Sequence, residues 1–223
     1  MTDARDGQLE ARARQSLGES GSAIYEAALS ALRRRSARGA AVDVGCGTGR
    51  FFSRLAGIAD SYVGVDAVRY DEFPATATFV PADLNHDRIP LPDTFADIVI
   101  SLETIEHLEN PRRFCRELVR IARSGAWIVL STPNQRSLVS LGALLTKGHF
   151  SAFSDSSYPA HQTALLDTDL LRIARENHLQ DAMIEFTCSG RMPFSAARYP
   201  GALSSAFPRA LSDNVLLVGR KSL

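Results

Sequence analysis

Five short apolar runs, "AAVDVG", "YVGVD", "ATFVPAD", "ADIVIS" and "AWIVLS", recur between residues 40 and 131, each ending in Gly, Asp or Ser. They are rich in β-branched residues and apolar at consecutive rather than alternate positions, the pattern of strands covered on both faces. Segments with helical character separate them, about Gly49 to Ala59 after the first and Pro111 to Arg123 after the fourth. In the second of these, Asn110 suits an N-cap, Pro111 suits the first helical position, and Phe114, Leu118 and Ile121 make an apolar stripe. Strands and helices in alternation predict an α/β fold built on a parallel sheet with right-handed crossovers. A later helix, Thr168 to Asn177 with Asp167 as its cap, leads to "QDAMIEFTC" and "NVLLVGR", which brings the expected strands to seven.

A chain of 223 residues fits one domain. The expected division is a polar N-terminal tail with a covering helix over residues 1–38, and a single domain over 39–223. The helix, Ala23 to Arg35, carries Ile24, Ala27, Ala28, Ala31 and Leu32 at helical spacing. Two non-repetitive segments, 132–166 and 189–212, exceed ordinary loops and are candidates for lids or substrate walls.

Lys and Arg number 25, as do Asp and Glu, so no overall field recruits DNA or an anionic surface. The basic run Arg33-Arg34-Arg35 with Arg38 reads as the solvated end of the covering helix. Three widely spaced cysteines, Cys46, Cys115 and Cys188, suit free thiols and a cytoplasmic setting better than a disulfide framework. The N-terminus lacks an apolar signal region, and "SLVSLGALL" is too short to span a bilayer, so no stable membrane anchor is expected. Nothing in the pattern specifies the oligomeric state.

"VDVGCGTGR" closes the first strand and opens the next segment, with glycines at 45, 47 and 49. Glycines there let the backbone turn sharply and a ligand approach closely. A dinucleotide fingerprint wants glycine at position 50, where Arg50 stands, and this disfavours an NAD-dependent oxidoreductase. Asp43 lies where its carboxylate receives an ammonium group or orders the loop. Asp66 ends the second strand about 20 residues after the loop, where an acid accepts both ribose hydroxyls. In "PADLN", Asp83 and the Leu84 amide suit an adenine amino group and ring nitrogen. Ribose, adenine and a free amino acid end together describe the expected ligand.

These residues resemble the class I, seven-stranded S-adenosylmethionine-dependent methyltransferases, over roughly Ala40 to Ser131 and weakly on to Arg220. The resemblance implies a Rossmann-like doubly wound sheet, mostly parallel with its last strand antiparallel. It also implies S-adenosyl-L-methionine as cofactor, with Asp43, Gly45, Gly47 and Gly49 at its methionine end, Asp66 at the ribose and Asp83 with Leu84 at the adenine.

"SLETIEHLENP" follows the fourth strand, at the sheet edge where open α/β folds bind ligands. Ser101, Leu102 and Glu103 are expected beside the cofactor. If Thr104 to Leu108 form a helical turn, Glu103, Glu106 and His107 share one face. Three readings stay open: a polar helix start, a proton-transfer site with His107 as base, and a divalent metal site completed by His161. The E-x-x-E-H pattern with a later His resembles the Mg²⁺ site of the small-RNA 2′-O-methyltransferases, and is shared with ubiquinone-pathway O-methyltransferases. Residues 131–179 resemble a bacterial group linked to surface-polysaccharide or glycolipid biosynthesis, with Tyr158 and His161 matching in type and place. That likeness implies His161 as a second catalytic residue and a small-molecule or glycan acceptor. The alternatives are a metal-dependent RNA 2′-O-methyltransferase and a binding module that keeps the cofactor pocket without catalysis.

Overall fold

A computed structural model describes residues 20–193, 195 and 197–223; the expected polar tail lies mostly outside them. The apolar runs form strands because nearly every position is covered: in β4 (Ala96–Ser101) five of six residues are buried. The other strands are β1 (Gly39–Val44), β2 (Ala59–Asp66), β3 (Thr78–Pro81), β5 (Ala122–Pro133), β6 (Leu179–Phe186) and β7 (Asn214–Lys221). They make one sheet in the order β3-β2-β1-β4-β5-β7-β6. Pairings from β3 through β5 are parallel, and β7 runs antiparallel to both of its neighbours. The expected seven-stranded sheet with an antiparallel last strand is the one observed.

Alternate side chains of each strand enter two cores. Val42, Val44 and Val99 pack with Phe114, Leu118 and Ile121 of α2 (Pro111–Ile121) and with Leu170 and Ile173 of α4 (Asp167–Glu176). Ile98, Ile100 and Val129 pack on the other face with Ile24, Leu29 and Leu32 of α1 (Ser22–Arg34). The Arg run at the end of α1 is tied down rather than only solvated, since Arg34 and Arg35 both pair with Glu185. Among the described residues the other helices are α3 (Leu138–Lys147) and the shorter α5 (Gly201–Ala206) and α6 (Pro208–Leu211).

Three expected elements differ. The helix over Gly49 to Ala59 is a single 3-10 turn, Phe52–Leu55, because Gly49 and Gly57 bracket it at φ +72° and +73° and β2 already begins at Ala59. α4 starts at Asp167 rather than after it. Asp169 accepts the Leu166 amide, whereas the Asp167 carboxylate pairs with Arg136 and Arg209. Segment 132–166 opens with the last residues of β5 and then forms α3, capped by Ser137, which accepts the Ser140 amide, and closed by left-handed Gly148.

Candidate active site

β1 and β4 are neighbours, yet the chain leaves β1 toward β2 and leaves β4 toward β5, so their C-terminal ends part and open a crevice. The glycine loop sits at this point. Gly45, Gly47 and Gly49 have φ of +77°, +51° and +72°. A Cβ at Gly45 would overlap the Thr104 side chain, and one at Gly49 would meet Pro74 and Phe73, so glycine is required for space as well as for φ.

Asp66 holds the loop from β2, accepting the Gly47 amide at 2.8 Å and the Ala67 amide at 2.7 Å. Burial raises its pKa while those amides lower it. Asp43, at the end of β1, accepts the Tyr62 hydroxyl at 2.8 Å. Burial pushes the Asp43 pKa up to about 7, the Tyr62 hydroxyl pulls it down, and the Asp66 charge adds to the rise. The folded, ligand-free chain therefore holds a proton here that an unfolded chain releases near pH ~4. This contribution to stability is present at low pH and is lost as pH rises through about 7. The thermal midpoint of the ligand-free chain is expected to fall relative to Asp43→Asn between pH 4 and 8. Parallel curves for the two proteins would show that Asp43 does not titrate in this way.

A cleft of about 450 Å³ runs from Asp66, Asp83 and Leu84 past Gly45, Gly47, Leu102 and Glu103 to His107 and His161. Of the residues expected at the cofactor, Ser101 and Gly49 lie behind this wall and the other eight line it. The Asp83 carboxylate also accepts the Asn85 amide and pairs with His86. Tyr25, from α1, adds to the wall and stacks on Phe51, a contribution that no motif in its own segment signals.

The expected grouping of Glu103, Glu106 and His107 on one helical face does not form. Only Ile105–His107 make a 3-10 turn, and Glu103 stands before it at φ +53°. That left-handed conformation is strained for a non-glycine residue and points Glu103 toward β5 and β7. There its carboxylate accepts the Ser131 hydroxyl at 3.0 Å and the Asn214 amide at 2.7 Å. Burial still raises its pKa to about 7 against these two hydrogen bonds.

His107 and His161 do come together, with ring centroids 4.8 Å apart. His107 Nδ1 donates to the Ala160 carbonyl at 2.8 Å, and His161 Nδ1 donates to the Ala152 carbonyl at 2.6 Å. In the neutral rings these bonds leave Nε2 with the lone pair. Burial lowers the His107 pKa, which keeps it neutral at pH 7. Segment 132–166 is fastened here because the Gln162 and Thr163 amides donate to the Glu106 carbonyl and the Thr163 hydroxyl donates to that of Leu108. Tyr158, which matches the polysaccharide-linked group in type and place, is 69% exposed.

Glu106 completes the group. It is fully buried; neither carboxylate oxygen has a well-formed hydrogen-bond partner among the described residues, and its own amide and the nearby Thr132 hydroxyl offset the burial only in part. Burial and the Glu103 carboxyl push its pKa well above the ordinary range. One ligand atom each from Glu106, His107 and His161 lie within 4.8 Å of one another. Such a group binds a proton or a divalent cation, and mixed carboxylate and imidazole donors suit a transition metal.

Residues 20–183 match the sequence profile described as a methyltransferase domain. The chain belongs to this methyltransferase family. The methyltransferase domain is 34% identical over 119 residues to a probable S-adenosylmethionine-dependent methyltransferase of Mycolicibacterium smegmatis, covering 50% of this chain and 44% of that protein. It is 33% identical over 103 residues to the mitochondrial ubiquinone biosynthesis O-methyltransferase of Arabidopsis thaliana, covering 42% and 32%. The chain thus spans less than half the length of these relatives. Among solved structures, an S-adenosylmethionine-dependent methyltransferase from Archaeoglobus fulgidus superimposes with a TM-score of 0.61 at 21% identity, covering 88% of this chain and 94% of that one. The last comparison speaks for the fold.

Proposed function

We propose that this chain transfers a methyl group from S-adenosylmethionine to an oxygen of a small-molecule or glycosidic acceptor. The observation that carries the reading is the meeting of Glu106, His107 and His161 in the same cleft as the glycine loop and Asp66. The cofactor fits the residues present: Gly45 and Gly47 line the crevice, where a Cβ at Gly45 would overlap Thr104, and Asp43, Asp66 and Asp83 lie along its wall. When bound, it supplies an electrophilic methyl group on a sulfonium.

In this reading Asp66 accepts the ribose hydroxyls, Asp83 and the Leu84 amide meet adenine, and Asp43 faces the amino acid end. Glu103, held by Ser131 and Asn214, shapes the wall between cofactor and acceptor. His107, neutral and oriented by the Ala160 carbonyl, would take the proton from the acceptor hydroxyl as its oxygen receives the methyl group, the electron pair of the broken carbon–sulfur bond staying on the departing sulfur. His161 lies against it and positions the same hydroxyl. The O-methyltransferase name of the Arabidopsis relative supports oxygen as the acceptor atom. Free thiols at Cys46, Cys115 and Cys188 support a cytoplasmic setting.

A second reading is favoured by the buried, unpartnered Glu106 carboxylate, in which Glu106, His107 and His161 hold a divalent cation that binds the acceptor oxygen. Incubation of the chain with S-adenosylmethionine and cell extract is expected to release S-adenosylhomocysteine, and no release would overturn the transferase reading. Release abolished by EDTA and restored by Mg²⁺ or Mn²⁺ supports the cation. Release unchanged by EDTA removes it and leaves His107 as the direct base.

A further inference from the structure

Helix α3 is inside out. Its one buried residue is Ser140, whose hydroxyl donates to Gln135 and accepts the Ser151 amide. Leu138, Leu141 and Leu145, on one face at i, i+3 and i+7, are 49%, 40% and 86% exposed. A ten-residue helix that turns its leucines to water and its serine to the protein leaves an apolar face that no described residue covers.

The surface continues beyond α3. The Asn134 side-chain amide donates to the carbonyls of Arg209 and Ser212, its backbone amide donates to that of Asp213, and Arg136 and Arg209 share Asp167. These bonds join residues 134–154 to 189–213. The second segment adds exposed Leu203 and Phe207, at 43% and 60%. Charge on the two segments leans one way: Arg136, Lys147, Arg191, Arg198 and Arg209 stand against Asp213 and, one residue past the first segment, the exposed Asp155, in a chain of zero formal charge. Asp167 and Asp213 are largely covered, whereas the four arginine side chains are 40–62% exposed.

We propose that this surface docks on an anionic lipid bilayer, with the α3 leucines in the apolar boundary and the flanking cations at the headgroups. Exposed leucines with Arg and Lys on the same and the adjoining segment have the composition of a surface that lies in a membrane interface. A second copy is a poorer occupant, because a two-fold contact would set the same five cations against each other. None of the helices is long and apolar enough to cross a membrane among the described residues, so the contact is peripheral. The chain runs from α3 into Ser156, Ser157, His161 and Gln162 of the cleft wall. On the proposed transferase reading, docking here brings the cleft to an acceptor with a lipid tail and a polar head.

Cosedimentation with phosphatidylcholine vesicles, with and without phosphatidylglycerol, tests the docking without any turnover. The full chain is expected to bind the anionic vesicles, to release with added NaCl, and to bind neutral vesicles far less. Leu141→Asp with Leu145→Asp is expected to weaken binding at least about tenfold while cofactor affinity stays at the wild-type value. Leu145→Asp alone serves if the double variant does not fold. The proposal is overturned by no anionic binding, by equal binding of the variant, or by a dimer that the variant dissociates and that ignores vesicles. Vesicle binding without S-adenosylhomocysteine release would instead sink the transferase reading and leave the docking intact.

Discussion

Changing both His107 and His161 to alanine is expected to lower turnover by roughly 10²–10⁴-fold, the range for loss of a positioned proton acceptor. Cofactor affinity is expected to change less than about twofold, because these imidazoles line the cleft beyond Glu103 while the ribose and adenine residues remain. The combination matters. His107 is held neutral by burial, and each Nδ1 is committed to a backbone carbonyl, so each ring offers one lone pair to the same small volume. Activity is followed as S-adenosylhomocysteine release and affinity by calorimetry. Full turnover in the double variant would remove both residues from the chemistry, and loss of affinity with turnover would recast them as structural.

The second large effect is at Asp66. Its carboxylate accepts two backbone amides that set the glycine loop and has further lone pairs facing the cleft. Two charged hydrogen bonds to a ribose diol, each worth about 1.5–3 kcal/mol, place the expected loss for Asp66→Ala at roughly a hundredfold or more in cofactor affinity. Part of that loss arises from freeing the Gly47 amide, and a lowered thermal midpoint of the ligand-free variant measures that part. Asp66→Asn keeps an acceptor for one amide and is expected to fall between. Unchanged affinity in Asp66→Ala would exclude this carboxylate from the ribose site.

Parts of the molecule set by local composition are legible in the sequence. Runs such as "ADIVIS" announce strands because both faces are buried, and Asn110-Pro111 announces α2, where Asn110 accepts the Arg113 amide as a cap. The loop after β1 is legible as a ligand turn because glycine tolerates φ that other residues resist. The same glycines mislead over residues 49–59, where apolar spacing suggests a helix that Gly49 and Gly57 break.

The site is legible in its residue types and less so in its grouping. His107 and His161 are 54 positions apart and meet because the Gln162 and Thr163 amides bond the Glu106 carbonyl, a contact without a local signature. Glu103 leaves the trio because Ser131 and Asn214, 28 and 111 residues away, draw its carboxylate aside. Tyr62 reaches Asp43 only through parallel pairing of β1 with β2. The leucines of α3 belong to a run whose sequence shows only that it is too short to span a bilayer, and the fold shows them facing outward.

The central claim is that the cofactor and the Glu106–His107–His161 cluster share one cleft so that methyl transfer occurs between them. A crystal structure of the chain with S-adenosylhomocysteine tests it most directly. The account predicts the ribose on Asp66, the adenine beside Asp83 and Leu84, and the sulfur at the mouth of the cluster, facing His107. A ligand bound outside this cleft, or one whose sulfur turns away from His107 and His161, would contradict it.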